Sequence, residues 1–308
     1  MGFIDKALER AKALKPKKPE PEAAAGGLNP ASTSPPRGTE KLGPQIIRPD
    51  ISCSSPRTVE VDSETLRRHR LIAGGWEANS VVAERYRVLR THLLQRTTAE
   101  GLNTLMVTGP LPGEGKTLTA INLAISMSQE LNHTVLLVDA DLRSPSISRY
   151  FGLPDGPGLA EHLTEGLPLS ELLVHPQGLA ELVILPAGGP VIQAAELLNS
   201  PLMRTLVQDL KHCYPNRYVI FDLPPLLVFA DALAFAPLVD GVIVVVEAGK
   251  TPRESILQCQ EMLKKFNLLG FVLNKAEATL DRSNYLSYYY PRPPKPSGKG
   301  RFKLPVFK

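Results

Sequence analysis

Residues 107–124 read VTGPLPGEGKTLTAINLA, and the expected fold follows from them. The apolar run Leu105, Met106, Val107 predicts a buried strand. A Pro/Gly turn runs from Pro110 to Gly115. Lys116 and Thr117 then open a helix whose apolar positions Ile121, Leu123, Ala124 and Met127 face a core. Strand, glycine turn, Gly-Lys-Thr and helix together describe a phosphate-binding loop. The glycines let backbone N–H groups turn inward around an anion, and the helix N-terminus adds its positive dipole. The candidate nucleotide contacts are Pro112, Gly113, Glu114, Gly115, Lys116, Thr117 and Leu118. Lys116 can reach the β- and γ-phosphates, and the Thr117 hydroxyl can ligate Mg²⁺. The usual pattern wants glycine at position 110, where this chain has Pro110, with Gly109 one residue early. The rival reading is an ordinary strand-to-helix turn.

The 308 residues suffice for one large or two small domains, and 43% hydrophobic content is ordinary for a globular protein. The 29 prolines are the excess, and many sit near the two ends. A net charge of +4 is too small to imply nucleic acid, and no nucleic-acid partner is expected. Cys53, Cys213 and Cys259 lie far apart with no ligand spacing, and read as free thiols of a reducing compartment. No stretch approaches the roughly 20 apolar residues of a membrane span. The start, MGFIDKALER, lacks a signal-peptide core, so a cytoplasmic location is expected.

Residues 1–14 form an amphipathic helix candidate that can dock on a partner, a membrane surface or its own domain. Residues 15–60 read as a disordered linker, because their Pro/Ala/Gly/Ser/Lys composition cannot bury enough apolar surface to offset ordering entropy. A folded domain is expected from 61 to 276. In it, a short helix is placed at 63–71 and a stronger one at 80–95, capped by Ser80. Glu84, Arg87 and Arg90 recur every third residue on one face of the second helix. They can pair with a neighbouring subunit or make a solvated face.

Residues 134–145, TVLLVDADLRSP, place Asp139 and Asp141 on one side of a strand's C-terminal end, the edge where open parallel sheets bind ligands. Such carboxylates can hold Mg²⁺ or accept a proton from an attacking hydroxyl; each is also an ordinary helix cap. Arg143 can meet phosphate or a partner chain. His162 and His175 have no partner at ligand spacing and are placed on the surface. One helix is expected over 193–213. Residues 217–225, RYVIFDLPP, give a second acidic strand end at Asp222. Further strands are expected at 242–246 and 268–273, with a helix at 252–266 between them. Asn274 can read an adenine edge or cap a loop. Continuous apolar strands alternating with helices predict an α/β fold: a mostly parallel sheet with helices on both faces. From 277 to 308 a tail carries Tyr285, Tyr288, Tyr289 and Tyr290, then a proline-rich basic segment. It can deliver hydroxyls to another subunit's site, or be solvated.

The chain resembles the bacterial tyrosine autokinases, phosphate-loop kinases of the MinD/ParA-like superfamily that regulate exopolysaccharide synthesis and export. The three nucleotide motifs of that family match residues 112–117, residues 135–143, and residues 219–222 with Pro224-Pro225. Its Glu-x-x-Arg-x-x-Arg oligomerisation motif matches Glu84, Arg87 and Arg90, and its tyrosine cluster matches Tyr285 and Tyr288–Tyr290. The amphipathic start and the VLNKA ending are similar to the soluble type found with exosortase-linked systems.

The resemblance implies an ATP-dependent autokinase. Lys116 neutralises the phosphates, Thr117, Asp139 and Asp222 organise Mg²⁺, and Asp139 or Asp141 helps deprotonate the tyrosine. Arg143 and Asn274 join the ATP contacts. The acceptors are tail tyrosines of a neighbour in a homo-oligomeric ring built through Glu84, Arg87 and Arg90. The implied partners are a membrane-embedded polysaccharide co-polymerase, which brings the protein to the inner membrane, and a cognate tyrosine phosphatase. Two rivals stand beside this reading. One is a ParA/MinD-like ATPase switch, which would carry a second lysine where this chain has Leu111. The other is a nucleotide-dependent scaffold without kinase activity.

Overall fold

The computed structural model describes residues 56–73, 80–130, 134–212 and 217–276. The expected helix at 1–14, most of the linker, Cys53, Cys213 and the tyrosine tail lie outside the described residues. The first half holds β1 (Arg57–Val59), α1 (Ser63–Arg68), α2 (Val81–Thr97), β2 (Thr104–Thr108), α3 (Lys116–Ser128), β3 (Thr134–Asp139), α4 (Ile147–Phe151), α5 (Leu159–Glu165) and α6 (Leu169–Leu172). The second holds β4 (Val174–Pro176), β5 (Leu182–Leu185), α7 (Ala194–Leu198), α8 (Pro201–His212), β6 (Arg217–Asp222), α9 (Asp231–Phe235), β7 (Gly241–Glu247), α10 (Arg253–Leu263) and β8 (Leu268–Asn274).

The described strands form one sheet in the order β1-β4-β5-β3-β6-β2-β7-β8. Every pairing is parallel except β4 with β5. Strand alternation divides the core into two layers. Met106, Leu136, Val138, Val219, Phe221 and Val244 face one layer, with α5 to α10. Leu105, Val107, Leu137, Ile220, Ile243 and Val245 face the other, with α1 to α4. A sheet covered on both faces can use continuous apolar strands, which is why β2, β3, β6 and β7 read as such runs. The expected inward set of α3 holds: Ile121, Leu123, Ala124 and Met127 are buried. Register places the site. Asp139 on β3 stands opposite Asp222 on β6, and Val107 on β2 is opposite Asp222 on the other side.

Several expectations need correction. The linker ends before residue 57, because β1 pairs with β4 and so joins the sheet. The single helix expected over 193–213 is two, separated at Asn199 and Ser200, where the Ser200 hydroxyl accepts from the Met203 N–H and Pro201 begins α8. Strand β4 is too short to show a period and forms by pairing with β1 and β5. His162 is buried, with Nδ1 2.6 Å from the Leu167 carbonyl, and His175 is half-buried, with Nδ1 2.8 Å from the Leu182 carbonyl. Neither is a free surface residue. The cap on α2 is as expected: the Ser80 hydroxyl accepts from Ala83 N–H at 3.1 Å.

Candidate active site

The phosphate loop is built by packing as much as by glycine freedom. Gly113 and Gly115 adopt φ of +84° and +89°, the left-handed region that favours glycine. Gly109 meets a different demand. A Cβ there would lie 2.8 Å from the Val245 carbonyl and 2.6 Å from Glu114 Oε2. This explains the early glycine: position 109 needs no side chain, and at Pro110 the chain can dispense with an N–H.

Glu114 has a side-chain role that carried no sequence signal. Its side chain does not face a ligand but is turned into the loop's own interior, 3% exposed. One carboxylate oxygen accepts from Leu111 N–H at 2.9 Å, and the other from the Thr251 hydroxyl at 2.7 Å. The Thr251 oxygen in turn accepts from Glu247 N–H at 2.8 Å. The end of β8 grips the same loop. Asn274 Nδ2 donates to the Glu114 carbonyl at 2.8 Å, and Lys275 Nζ donates to the Gly113 carbonyl at 2.7 Å while pairing with Glu247 at 3.0 Å. In this structure the Asn274 amide caps the loop, one of the two roles the sequence allowed. Thr251 and Lys275 carried no sequence signal.

Lys116 and three carboxylates make the electrostatic centre. Lys116 Nζ pairs with Asp141 Oδ2 at 2.9 Å, and both side chains are largely buried. Burial alone would lower the Lys116 pKa, but Asp222, Asp141 and Asp139 together raise it. Asp139 is pushed up to about 6 by burial, although N–H groups of Ile147 and Ser146 donate to it at 2.9 and 3.0 Å. These bonds make Asp139 the anchor of the turn that follows β3. Asp222 is fully buried, and burial raises it to about 7 against the opposing charge of Lys116, with Asp139 adding to the rise. Neither Asp222 oxygen has a well-formed hydrogen bond, and the nearby Thr117 hydroxyl offsets the rise only in part. A buried carboxylate left in this way fits a cation, and Thr117 opens α3 beside it. Among the described residues no group of three or more His, Cys, Asp and Glu is spaced as a full metal cage. A site with few protein ligands suits an ion that keeps waters and substrate phosphates.

The Arg143 side chain pairs with a different carboxylate. Its Nε donates to both oxygens of the fully buried Asp231 at 3.0 Å, and its guanidinium sits 4.9 Å from the Phe229 ring centroid. Glu84, Arg87 and Arg90 make contacts within the chain. Arg87 pairs with Glu84 at 2.8 Å, and Arg90 reaches the Ser126 carbonyl at 2.7 Å and Glu130 at 2.9 Å. The acceptor tyrosines fall outside the described residues.

A loop that can cradle phosphates, at the carboxyl edge of a parallel sheet and beside acidic ends on two adjacent strands, defines a class of nucleotide-binding protein. Residues 105–290 match the model of the CobQ/CobB/MinD/ParA nucleotide binding domain, and the chain belongs to that family. Within it, the chain stands with the bacterial tyrosine-protein kinases. It is 34% identical over 225 residues to the tyrosine-protein kinase YwqD of Bacillus subtilis, covering 72% of this chain and 92% of that one. The succinoglycan biosynthesis transport protein ExoP of Rhizobium meliloti is 34% identical over 203 residues, or 64% of this chain and 25% of ExoP. The kinase domain of the Escherichia coli tyrosine kinase ETK superposes with a TM-score of 0.59 at 27% identity, covering 72% of this chain and 92% of that one.

Proposed function

We propose that this protein transfers the γ-phosphoryl group of Mg-ATP to tyrosines of its own C-terminal cluster, and through that controls exopolysaccharide synthesis or export. The observation that carries the reading is the Lys116–Asp141 pair set beside two buried carboxylates at the mouth of the phosphate loop. The similarity to YwqD supports the reaction, and that to ExoP supports the polysaccharide setting.

The residues divide the work. Backbone N–H groups of 113–117 and the N-terminus of α3 receive the phosphates. Lys116 exchanges Asp141 for the β- and γ-phosphates, which frees the Asp141 carboxylate. Thr117 and Asp222 would hold Mg²⁺, with Asp139 beside Asp222 contributing. Such an ion would supply neutralisation of the charge that builds on the phosphate oxygens. The tyrosine oxygen attacks the γ-phosphorus, ADP leaves, and the phenolic proton passes to Asp141 or Asp139. Tail tyrosines of Tyr285 and Tyr288–Tyr290 are the acceptors, delivered between subunits of a ring that uses Glu84, Arg87 and Arg90. A membrane-embedded co-polymerase is the partner that brings the protein to the inner membrane.

Mixing two variants tests the transfer between chains. One is Lys116→Met with its tail intact; the other keeps Lys116 but has Phe at 285 and 288–290. With Mg-ATP, phosphotyrosine is expected on the first chain only when the second is present. Its absence from every mixture, with ATP still hydrolysed, favours the ATPase-switch reading.

A further inference from the structure

A cavity of about 910 Å³ lies among α1, α2 and the end of β8, and reaches the phosphate loop at Gly113 and Gly115. Its charge is one-sided. Arg67, Arg70, Arg85, Lys275 and His92 line it, and among the described residues no Asp or Glu does. Lys275 is neutralised by Glu247. Among the described residues the three guanidinium groups have no ion-pair partner. Arg70 is held in the left-handed region, at φ +60°, where a non-glycine residue is strained. The buried Asn122 of α3 fixes it there. Its Nδ2 donates to the Arg70 carbonyl at 3.2 Å, and its Oδ1 accepts from Ile72 N–H at 3.0 Å. Part of the remaining wall is apolar and open: Phe271 and Leu273 on β8 and Val82 and Val88 on α2 are 38% to 63% exposed.

Unpaired arginines beside an open apolar wall suit a ligand with an anionic head and a ring. The chain carries such a group where it leaves the sheet. Ala276 lines the cavity, and Tyr285 follows nine residues later. Nine extended residues reach about 30 Å, enough to fold back into the cavity. A phosphotyrosine brings a charge of nearly −2. The unmodified tail offers less negative charge: residues 291–308 hold six Lys or Arg and no acidic residue, and Glu277 and Asp281 are the acidic residues between the cavity and the tyrosines.

We propose that this cavity docks the chain's own tyrosine cluster once it is phosphorylated. Arg67, Arg70 and Arg85 hold the phosphates, and the apolar wall takes the rings. This rests on the kinase reading only for the source of the phosphate. Because Gly113, Gly115 and Asn274 line the same cavity, a docked tail obstructs nucleotide entry. The enzyme is then slowed by its own covalent product, in cis.

The test needs no kinase activity. Full-length chains are assembled by ligating synthetic 277–308 segments with either tyrosine or phosphotyrosine at 285 and 288–290. The affinity for a fluorescent ATP analogue is then measured at nanomolar protein. The phosphorylated tail is expected to weaken it about tenfold or more. In a chain with Arg67→Gln, Arg70→Asn and Arg85→Gln, the ratio between tail states is expected to fall below about twofold. Asparagine tolerates the left-handed backbone at 70, and 67 and 85 are exposed, so the fold is kept. Equal affinity for the two tail states overturns the proposal, as does an effect that survives the arginine changes. An effect present only at micromolar protein means docking on a second copy and overturns the cis assignment. If the synthetic phosphorylated tail docks but the chain never phosphorylates itself, the kinase reading fails while the docking site stands.

Discussion

Lys116 Nζ lies 2.9 Å from Asp141 Oδ2, so the phosphate-loop lysine is held by a carboxylate of the next strand end. The pair stores the lysine in position and masks Asp141 until phosphate draws the ammonium away. Asp141→Asn is therefore expected to lower the turnover rate by about 10²-fold or more, the scale of a lost proton acceptor. ATP affinity is expected to hold or tighten, because Lys116 is released. Parallel loss of rate and affinity contradicts this division of roles. Lys116→Met is expected to remove both.

The raised carboxylates predict how stability responds to pH. Asp222 at about 7 and Asp139 at about 6 bind protons more tightly in the folded chain than at their ordinary value of 3.8. In the window from about 4 to about 7 the folded state therefore holds more protons than the unfolded state. Nucleotide-free stability falls as pH rises through that window. Asp222→Asn removes the larger contribution and is expected to stabilise the chain at pH 8 by about 1–3 kcal/mol while abolishing transfer. Thermal melts at pH 5 and pH 8 read the difference. A variant that melts lower at pH 8 contradicts the assignment.

The same proton competes with metal. Mg²⁺ affinity is expected to rise nearly tenfold per pH unit below about 7, and to level off above it, since Asp222 must be ionised to bind. Calorimetric titration with the ATP complex at several pH values measures the slope.

Thr251 satisfies one oxygen of buried Glu114 and is fixed by Glu247 N–H. Thr251→Val keeps the shape but leaves that oxygen without a donor, at an expected cost of about 1–3 kcal/mol. Because Glu114 shapes the phosphate loop, ATP affinity is expected to fall as well. Thr251→Ser keeps the hydroxyl and is expected to restore affinity. Unchanged ATP binding in the valine variant removes Glu114 from loop positioning.

What was legible in the sequence was local. The phosphate loop, Asp139, Asp141 and Asp222 occupy consecutive positions or strand ends, and strand periodicity alone brings them to one edge. The short strands β1 and β4 carry too few residues to show a period, and become strands only by pairing with each other and with β5. The same limit hid the partners that decide side-chain roles. Asp231 lies 88 residues from Arg143, and Thr251 lies 137 from Glu114. No spacing rule reports such distances. Asn274 takes the loop-capping role that the sequence left open beside base reading, while the burial of the Glu114 side chain depends on Leu111 and the distant Thr251 and left no local trace.

The most direct test of kinase activity is a time course of full-length protein with Mg-ATP, with tyrosine phosphate mapped by mass spectrometry and Lys116→Met run in parallel. The account predicts phosphate accumulating on Tyr285 and Tyr288–Tyr290 in the wild type and none in the variant. ATP hydrolysis without phosphotyrosine, even after the cytoplasmic segment of the proposed co-polymerase partner is added, would contradict it.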